Sequence, residues 1–186
     1  MITISNRDNN KFVAAALEQE IHKLASFDKY NLNLAGEYRV AAELLLRGLY
    51  ASVTFGNKKG ADIFAIGDNR LSAVVEVKAS QKNTFVTGLY QKYRTREMPC
   101  PDFWVLYSVA NSESGFMERF FVLTHQEMAE AQGERNCPGE RLTYLQRAER
   151  VKNGVDNVRL SDVEPFEGQW GKILLYCNSP IVLTLT

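Results

Sequence analysis

The chain has 186 residues with 22 basic and 22 acidic side chains, so it is one domain by default, formally neutral, and, at 45% hydrophobic residues, able to bury a core. No run reaches the ~20 apolar residues of a membrane span, and Met1-Ile2-Thr3-Ile4-Ser5 lacks the basic start and apolar core of a secretory signal. Cys100, Cys137 and Cys177 form neither a disulfide framework nor a Cys-x-x-Cys zinc site, His22 and His125 lack metal-ligand spacing, and a reducing cytoplasm fits this usage.

In chain order, residues 10–26 read as an amphipathic helix with Phe12, Ala16, Ile21 and Leu24 as its apolar stripe, and 27–33 as a polar connector. A second helix is predicted from about Leu34 to Gly48, with Asn33 as N-cap and Val40, Ala41, Leu44 and Leu45 facing a sheet. Leu49–Phe55 reads as a strand, and Gly56–Gly60 as a basic loop. Two apolar runs, Gly60–Gly67 and Leu71–Lys78, flank Asp68-Asn69-Arg70 and predict a β-hairpin. A polar loop follows at 79–84, then a short helix or irregular stretch at 86–94. Strands are predicted at 102–109 and 117–124 and a helix at 125–135. The stretch 136–186 reads as polar and irregular, with a helix at 141–152 and a last strand at 181–185. The order predicts an α/β or α+β fold, a mixed central sheet flanked by helices. Its core spans 34–124 between an N-terminal helical extension, 10–33, and a C-terminal helical or irregular extension, 125–186.

The hairpin holds the residues that suit a strand interior least: Asp62, Glu76 and Lys78. Side chains alternate across a strand, so Glu76 and Lys78 share one face and Val75 and Val77 the other. Register decides where Asp62 falls. A two-residue loop at Asp68-Asn69 sets it across from Val75, on the wrong side. A three-residue loop, 68–70, pairs 67 with 71 and 62 with 76, which opposes two carboxylates with Cβ atoms about 4.5–5.5 Å apart. Carboxylates that close repel unless positive charge separates them. A hard divalent cation such as Mg²⁺ takes oxygen ligands and is held by one or two carboxylates plus a substrate phosphate. Lys78 beside it suits the orientation of a water or the stabilisation of phosphorane-like charge. Taken without context, the same hairpin is a surface element with a solvated acidic pair and a salt-bridging lysine.

Between residues 57 and 96 there are eight basic side chains, Lys58, Lys59, Arg70, Lys78, Lys82, Lys92, Arg94 and Arg96, against three acids. Two of those acids are Asp62 and Glu76, so the basic excess surrounds the carboxylates, with Phe85, Tyr90 and Tyr93 interleaved. Phosphate binding accounts for this pattern; solvated loop lysines are the alternative. Glu37, in the first turns of the second helix, either favours the helix dipole or points at the carboxylate pair.

A helix bearing Gly36-Glu37, a strand, then Gly60-x-Asp62 and, fourteen residues later, Glu76-x-Lys78 resembles the PD-(D/E)XK nuclease superfamily, the restriction-endonuclease-like fold that includes Holliday junction resolvases and repair nucleases. The resemblance covers residues 34–78. It implies that Asp62, Glu76 and the Val77 carbonyl bind Mg²⁺, for which Mn²⁺ can substitute, that Lys78 positions the attacking water, and that Glu37 completes or buttresses the site. The proline that often precedes the motif aspartate is Ala61 here, and Gln91 and Tyr93 do not match the spacing of the Gln/Tyr motif of exonuclease-like members. Lys58, Lys59, Lys82, Lys92, Arg94 and Arg96 are the expected phosphate contacts. The expected activity is Mg²⁺-dependent hydrolysis of DNA, with RNA also open, by a homodimer that has one catalytic set per strand. A non-catalytic nucleic-acid-binding or assembly protein on the same fold is the competing expectation.

Overall fold

The computed structural model describes residues 28–54, 61–93, 100–112, 115–141, 146 and 156–179. The predicted helix at 10–26, the basic residues Lys58, Lys59, Arg94 and Arg96, and the predicted strand at 181–185 lie outside these residues, as does nearly all of the predicted helix at 141–152.

Helix α1 runs from Lys29 to Leu46. It begins five residues before the predicted start: Asp28, not Asn33, is at the N-cap position. The polar look of 27–33 conceals Leu32, which is buried against Tyr107 and Val109 and draws the first turn onto the sheet. The helix ends where Gly48 adopts φ +85°. There the Gly48 and Leu49 amides donate to Leu45 and Leu44, an arrangement that satisfies the terminal carbonyls.

Strands β1 (Tyr50–Val53), β2 (Ile63–Ile66) and β3 (Ser72–Ser80) form an antiparallel meander. β3 continues in parallel to β5 (Phe103–Ser112), which pairs antiparallel with β6 (Gly115–Thr124), so the sheet order is β1-β2-β3-β5-β6. Between β3 and β5 lie β4 (Thr84–Val86) and helix α2 (Leu89–Tyr93). After β6 come α3 (His125–Asn136), β7 (Asn157–Arg159), α4 (Leu160–Val163), a 3₁₀ turn and α5 (Gly171–Asn178). β4 and β7 make a second, two-stranded sheet. The expected class holds: α+β, with a mixed central sheet flanked by helices. The expectation of an irregular segment after residue 136 does not hold for 157–178. There Ile173 and Cys177, four apart on α5, bury against the main core.

Each sheet face has its own core. On one, Ile63, Val75, Val77 and Val105 meet Val40, Ala41 and Leu44 of α1 and Ile173 of α5. On the other, Trp104, Leu106 and Phe121 meet Phe85, Leu89 and Tyr90 from β4–α2 and Met128 from α3. Gly36 lets α1 come close to β3, since a Cβ there would lie 2.9 Å from that of Ala79. That approach brings the next residue, Glu37, to the end of the sheet.

Candidate active site

The hairpin register is the one set by a three-residue loop. Ile63 pairs with Val75 and Ile66 with Ser72; the ladder stops at Ile63, where the Asp62 amide donates to the Val75 carbonyl at 3.0 Å, so Asp62 leaves the strand at a bend instead of pairing squarely with Glu76 as expected. The Gly67 amide donates to Leu71 and the Arg70 amide to Gly67. Arg70 takes φ 66°, the left-handed residue that closes a three-residue hairpin. The Leu71 amide donates to the Asn69 side chain and fixes the tip.

Asp62 and Glu76 nevertheless converge on one ammonium, that of Lys78. The Asp62 carboxylate is tethered by the Val77 amide, which donates to Oδ2 at 2.7 Å. Glu76, beside Trp104 in register, is 1% exposed. It is far more deeply buried than a solvated surface acid, because β4 and α2 roof the face it points to. Its Oε1 accepts from Lys78 Nζ at 2.6 Å and from Lys92 Nζ. Its Oε2 is buried without a hydrogen-bond partner among the described residues.

The Lys78 ammonium sits among three oxygens: Glu76 Oε1 at 2.6 Å, the Val77 carbonyl at 2.9 Å and Asp62 Oδ2 at 4.0 Å. Its charge also lies 5.9 Å from the centre of the Trp104 ring. Glu37 stands close enough for the cluster to act on it. Burial, then Asp62, push its carboxyl up to about 6; Lys78 opposes the rise and Glu76 adds to it. Asp62 is also lifted above the usual carboxylate range, by burial and then by Glu76, while Lys78, the Val77 amide and Lys92 restrain it. For Glu76 burial again pushes upward, but Lys78 and Lys92 outweigh it and hold the group below the usual range. Charge is thus settled on Glu76, and Asp62 and Glu37 are the members readier to take a proton. Three carboxylates face two ammonium groups, which leaves the cluster one positive charge short.

The oxygens are the hard donors that Mg²⁺ or Mn²⁺ selects. The unpartnered Glu76 Oε2 is a buried acceptor that such an ion would satisfy, so the residues fit the group. Among the described residues no three His, Cys, Asp or Glu side chains gather tightly enough to form a site by themselves. The nearest set is two carboxylates with one main-chain carbonyl, and Glu37 behind them.

Lys92, expected on flanking phosphate, instead has its ammonium on Glu76. Nothing in the sequence announces this pair, because it joins α2 to β3 across the roof of the site. The roof is locked by a buried polar group: Thr87 Oγ1 donates to Gln132 Oε1 at 2.6 Å, Gln132 Nε2 donates to Asp156 Oδ1, and the Tyr90 amide donates to the same oxygen at 3.2 Å. Lys82 is exposed on the turn after β3. No helix among the described residues is long and apolar enough to cross a membrane.

No known protein family matches the chain by sequence, and no curated protein does. Among solved structures, a bacterial homing endonuclease is similar in part: 16% identity over 53% of this chain and 67% of that one, with a TM-score of 0.35. A likeness of that score bears on neither mechanism nor substrate.

Proposed function

We propose that the chain is a divalent-metal-dependent nuclease of the PD-(D/E)XK kind, with Glu37, Asp62, Glu76 and Lys78 as its catalytic set. The carrying observation is the place of the Lys78 ammonium. It is gathered by Glu76 Oε1, the Val77 carbonyl and Asp62 Oδ2, the same three groups that the sequence motif assigns to Mg²⁺. The ammonium stands in for a cation at a point where oxygens from two strands converge.

Asp62, Glu76 and the Val77 carbonyl would hold the ion, with Glu37 behind them. When bound, it supplies charge against the scissile phosphate and lowers the pKa of a water. Lys78 has two stations: the pair with Glu76 seen here, and a water or phosphate oxygen in the loaded site. Lys92 keeps a positive charge on Glu76 when Lys78 leaves it. Water attacks phosphorus, the bond to the 3′ oxygen breaks, and that oxygen takes a proton. Glu37 stands behind the metal-binding oxygens, where it would complete or buttress the metal site. The phosphate-binding role of Lys58, Lys59, Arg94 and Arg96 rests on the local charge excess. A homodimer would bring two such sets to a duplex.

The test is incubation with supercoiled plasmid, a branched junction and single strands, with and without Mg²⁺ or Mn²⁺. Metal-dependent cleavage that Asp62→Asn and Glu76→Gln abolish is expected. Cleavage that survives both substitutions overturns the reading. Binding of nucleic acid with no cleavage in either metal favours the non-catalytic alternative.

A further inference from the structure

Beside the carboxylate cluster, between the first turns of α1 and the β4–α2 roof, lies a cleft of about 650 Å³. Four lysines line it, Lys29, Lys78, Lys82 and Lys92, with no acidic and no aromatic side chain among the described lining residues. Two of these lysines, Lys78 and Lys92, are the ones that hold Glu76, so the cleft adjoins the carboxylates through shared side chains. One stripe of α1 carries Lys29, Asn33 and Glu37, four residues apart, which share a face. The first two line the cleft and the third faces the carboxylates, about 12 Å further along the helix by its rise of 1.5 Å per residue.

Both walls are fixed. Ser80 Oγ donates to Thr84 O at 2.7 Å and accepts from the Lys82 amide at 3.0 Å, which locks the turn after β3. The buried Thr87–Gln132–Asp156 group locks the other wall. The volume is that of a pocket which buries one drug-sized molecule. At that volume it has room for a nucleotide or two of one strand, whereas a base-paired duplex would have to lie across its mouth. Ammonium groups without aromatic rings contact phosphates rather than stack bases.

Resting on the nuclease reading above, we propose that this cleft takes the sugar–phosphate backbone of an unpaired nucleic-acid strand. It leads that strand past Lys29 and Lys82 to Lys78, so the substrate is single-stranded where it is cut. The strand is held by its phosphates and not selected by sequence.

Binding is measured by fluorescence anisotropy in EDTA, where no cutting occurs, on a labelled 12-nucleotide strand and on the blunt duplex of the same sequence, across 25–200 mM salt. The strand is expected to bind about tenfold or more tighter than the duplex. Lys29→Ala with Lys82→Ala should weaken strand binding and lower the slope of log K against log salt by about 1.4, two contacts at roughly 0.7 each. An unchanged melting temperature shows that the variant is folded; Lys172→Ala, on α5, serves as a control that leaves the slope unaltered. Equal affinity for the blunt duplex, or an unchanged slope in the double variant, overturns the proposal. The two readings fail separately. Metal-dependent cleavage with an unchanged slope removes the cleft and keeps the nuclease. Lysine-dependent strand binding with no cleavage in Mg²⁺ or Mn²⁺ does the reverse.

Discussion

Two glutamates in this molecule are each bound by cations, and they are opposites. Glu118, at the rim of β6, receives Arg39 on both oxygens, at 2.8 and 2.9 Å, and the Tyr107 hydroxyl on one of them. It is partly open to solvent and both its oxygens are used. Glu76 is nearly closed to solvent, receives two ammonium groups on one oxygen and, among the described residues, has no hydrogen-bond partner on the other. Both carboxyls lie below the usual range: Glu118 because Arg39 donates to it, against the upward push of burial, and Glu76 because two lysines outweigh that push. The first arrangement leaves no acceptor open and pins α1 to the sheet. The second holds a buried charge with spare valence, which costs stability and is suited to receiving something. A bound pair is common to both glutamates; what sets Glu76 apart is its burial and the unfilled oxygen beside the pair.

The sharpest way to break the contrast is to strip the cations from each side. Lys78→Met or Lys92→Met alone leaves one ammonium on Glu76 and should cost modestly. The double variant leaves a buried carboxylate unpaired, for which about 3–5 kcal/mol is expected, more than the two single losses together. In a thermal melt that is a fall of roughly 6–20 °C for a chain of this size. An additive double variant would show that Glu76 is better solvated than the structure places it.

Next in size is the exchange of charge for amide at the two positions. Glu76→Gln should abolish detectable cleavage, a loss of at least about 10²–10³-fold, the usual loss of a positioned electrostatic group. It should leave the melting temperature level or raise it, since a buried charge is removed and both lysines can turn to solvent. Glu118→Gln should do the converse: cleavage within about twofold of the parent, and a stability loss of about 1 kcal/mol for a half-exposed bidentate pair. Should Glu118→Gln abolish cleavage while Glu76→Gln leaves it intact, the functional roles assigned here are inverted.

Between these lies the lock on the roof. Asp156→Ala takes the acceptor from the Tyr90 amide and the Gln132 side chain, and buried donors left unpaired cost about 1–3 kcal/mol. A fall of several degrees in the melt is expected. Asp156→Asn, which keeps an acceptor oxygen, should recover most of it.

What the sequence disclosed follows from which interactions are local. Alternation put Val75 and Val77 on one face and Glu76 and Lys78 on the other, and loop parity gave two registers, of which the ladder from Ile63 to Ile66 has the one a three-residue loop sets; the bend that takes Asp62 off the ladder, its amide on the Val75 carbonyl, was not legible. Those are properties of adjacent residues. The early start of α1 was hidden because Leu32 acts through burial against Tyr107 and Val109, some seventy-five residues on, whereas Asn33 offered a local cap. Had the helix been read from Lys29, the spacing of Lys29, Asn33 and Glu37 would have pointed to one stripe. Lys92 on Glu76 and the Thr87–Gln132–Asp156 group join separate elements, and residue type alone carries no sign of them. The sequence also presented Glu76 as half of a solvated strand face. Only the roof of β4 and α2 makes it a buried charge.

The smallest effect concerns Glu37, which belongs to neither extreme of the comparison: partly open, tied to no ammonium among the described residues, yet shifted by the cluster. Its carboxyl titrates at about 6 in the fold, from an ordinary 4.5, through burial first and Asp62 second. Between those two values the folded chain binds more protons at this group than the unfolded chain does. The slope of unfolding free energy with pH is therefore negative there. The stabilisation is fully present below about 4.5, declines as pH rises through about 6, and is absent above it. Solvent screening at a half-exposed group keeps the effect small, about 1–3 °C in melting temperature between pH 5 and pH 7.5. Glu37→Gln cannot titrate, so its melting temperature should vary less over the same window, and the difference between the two curves isolates the group from every other carboxylate. With Mg²⁺ present the parent's curve should flatten toward that of the variant, because a cation near Asp62 and Glu76 offsets the negative field that helps to raise Glu37. If Mg²⁺ leaves the parent's curve unchanged while still supporting cleavage, Glu37 is remote from the ion and its shift reflects burial alone.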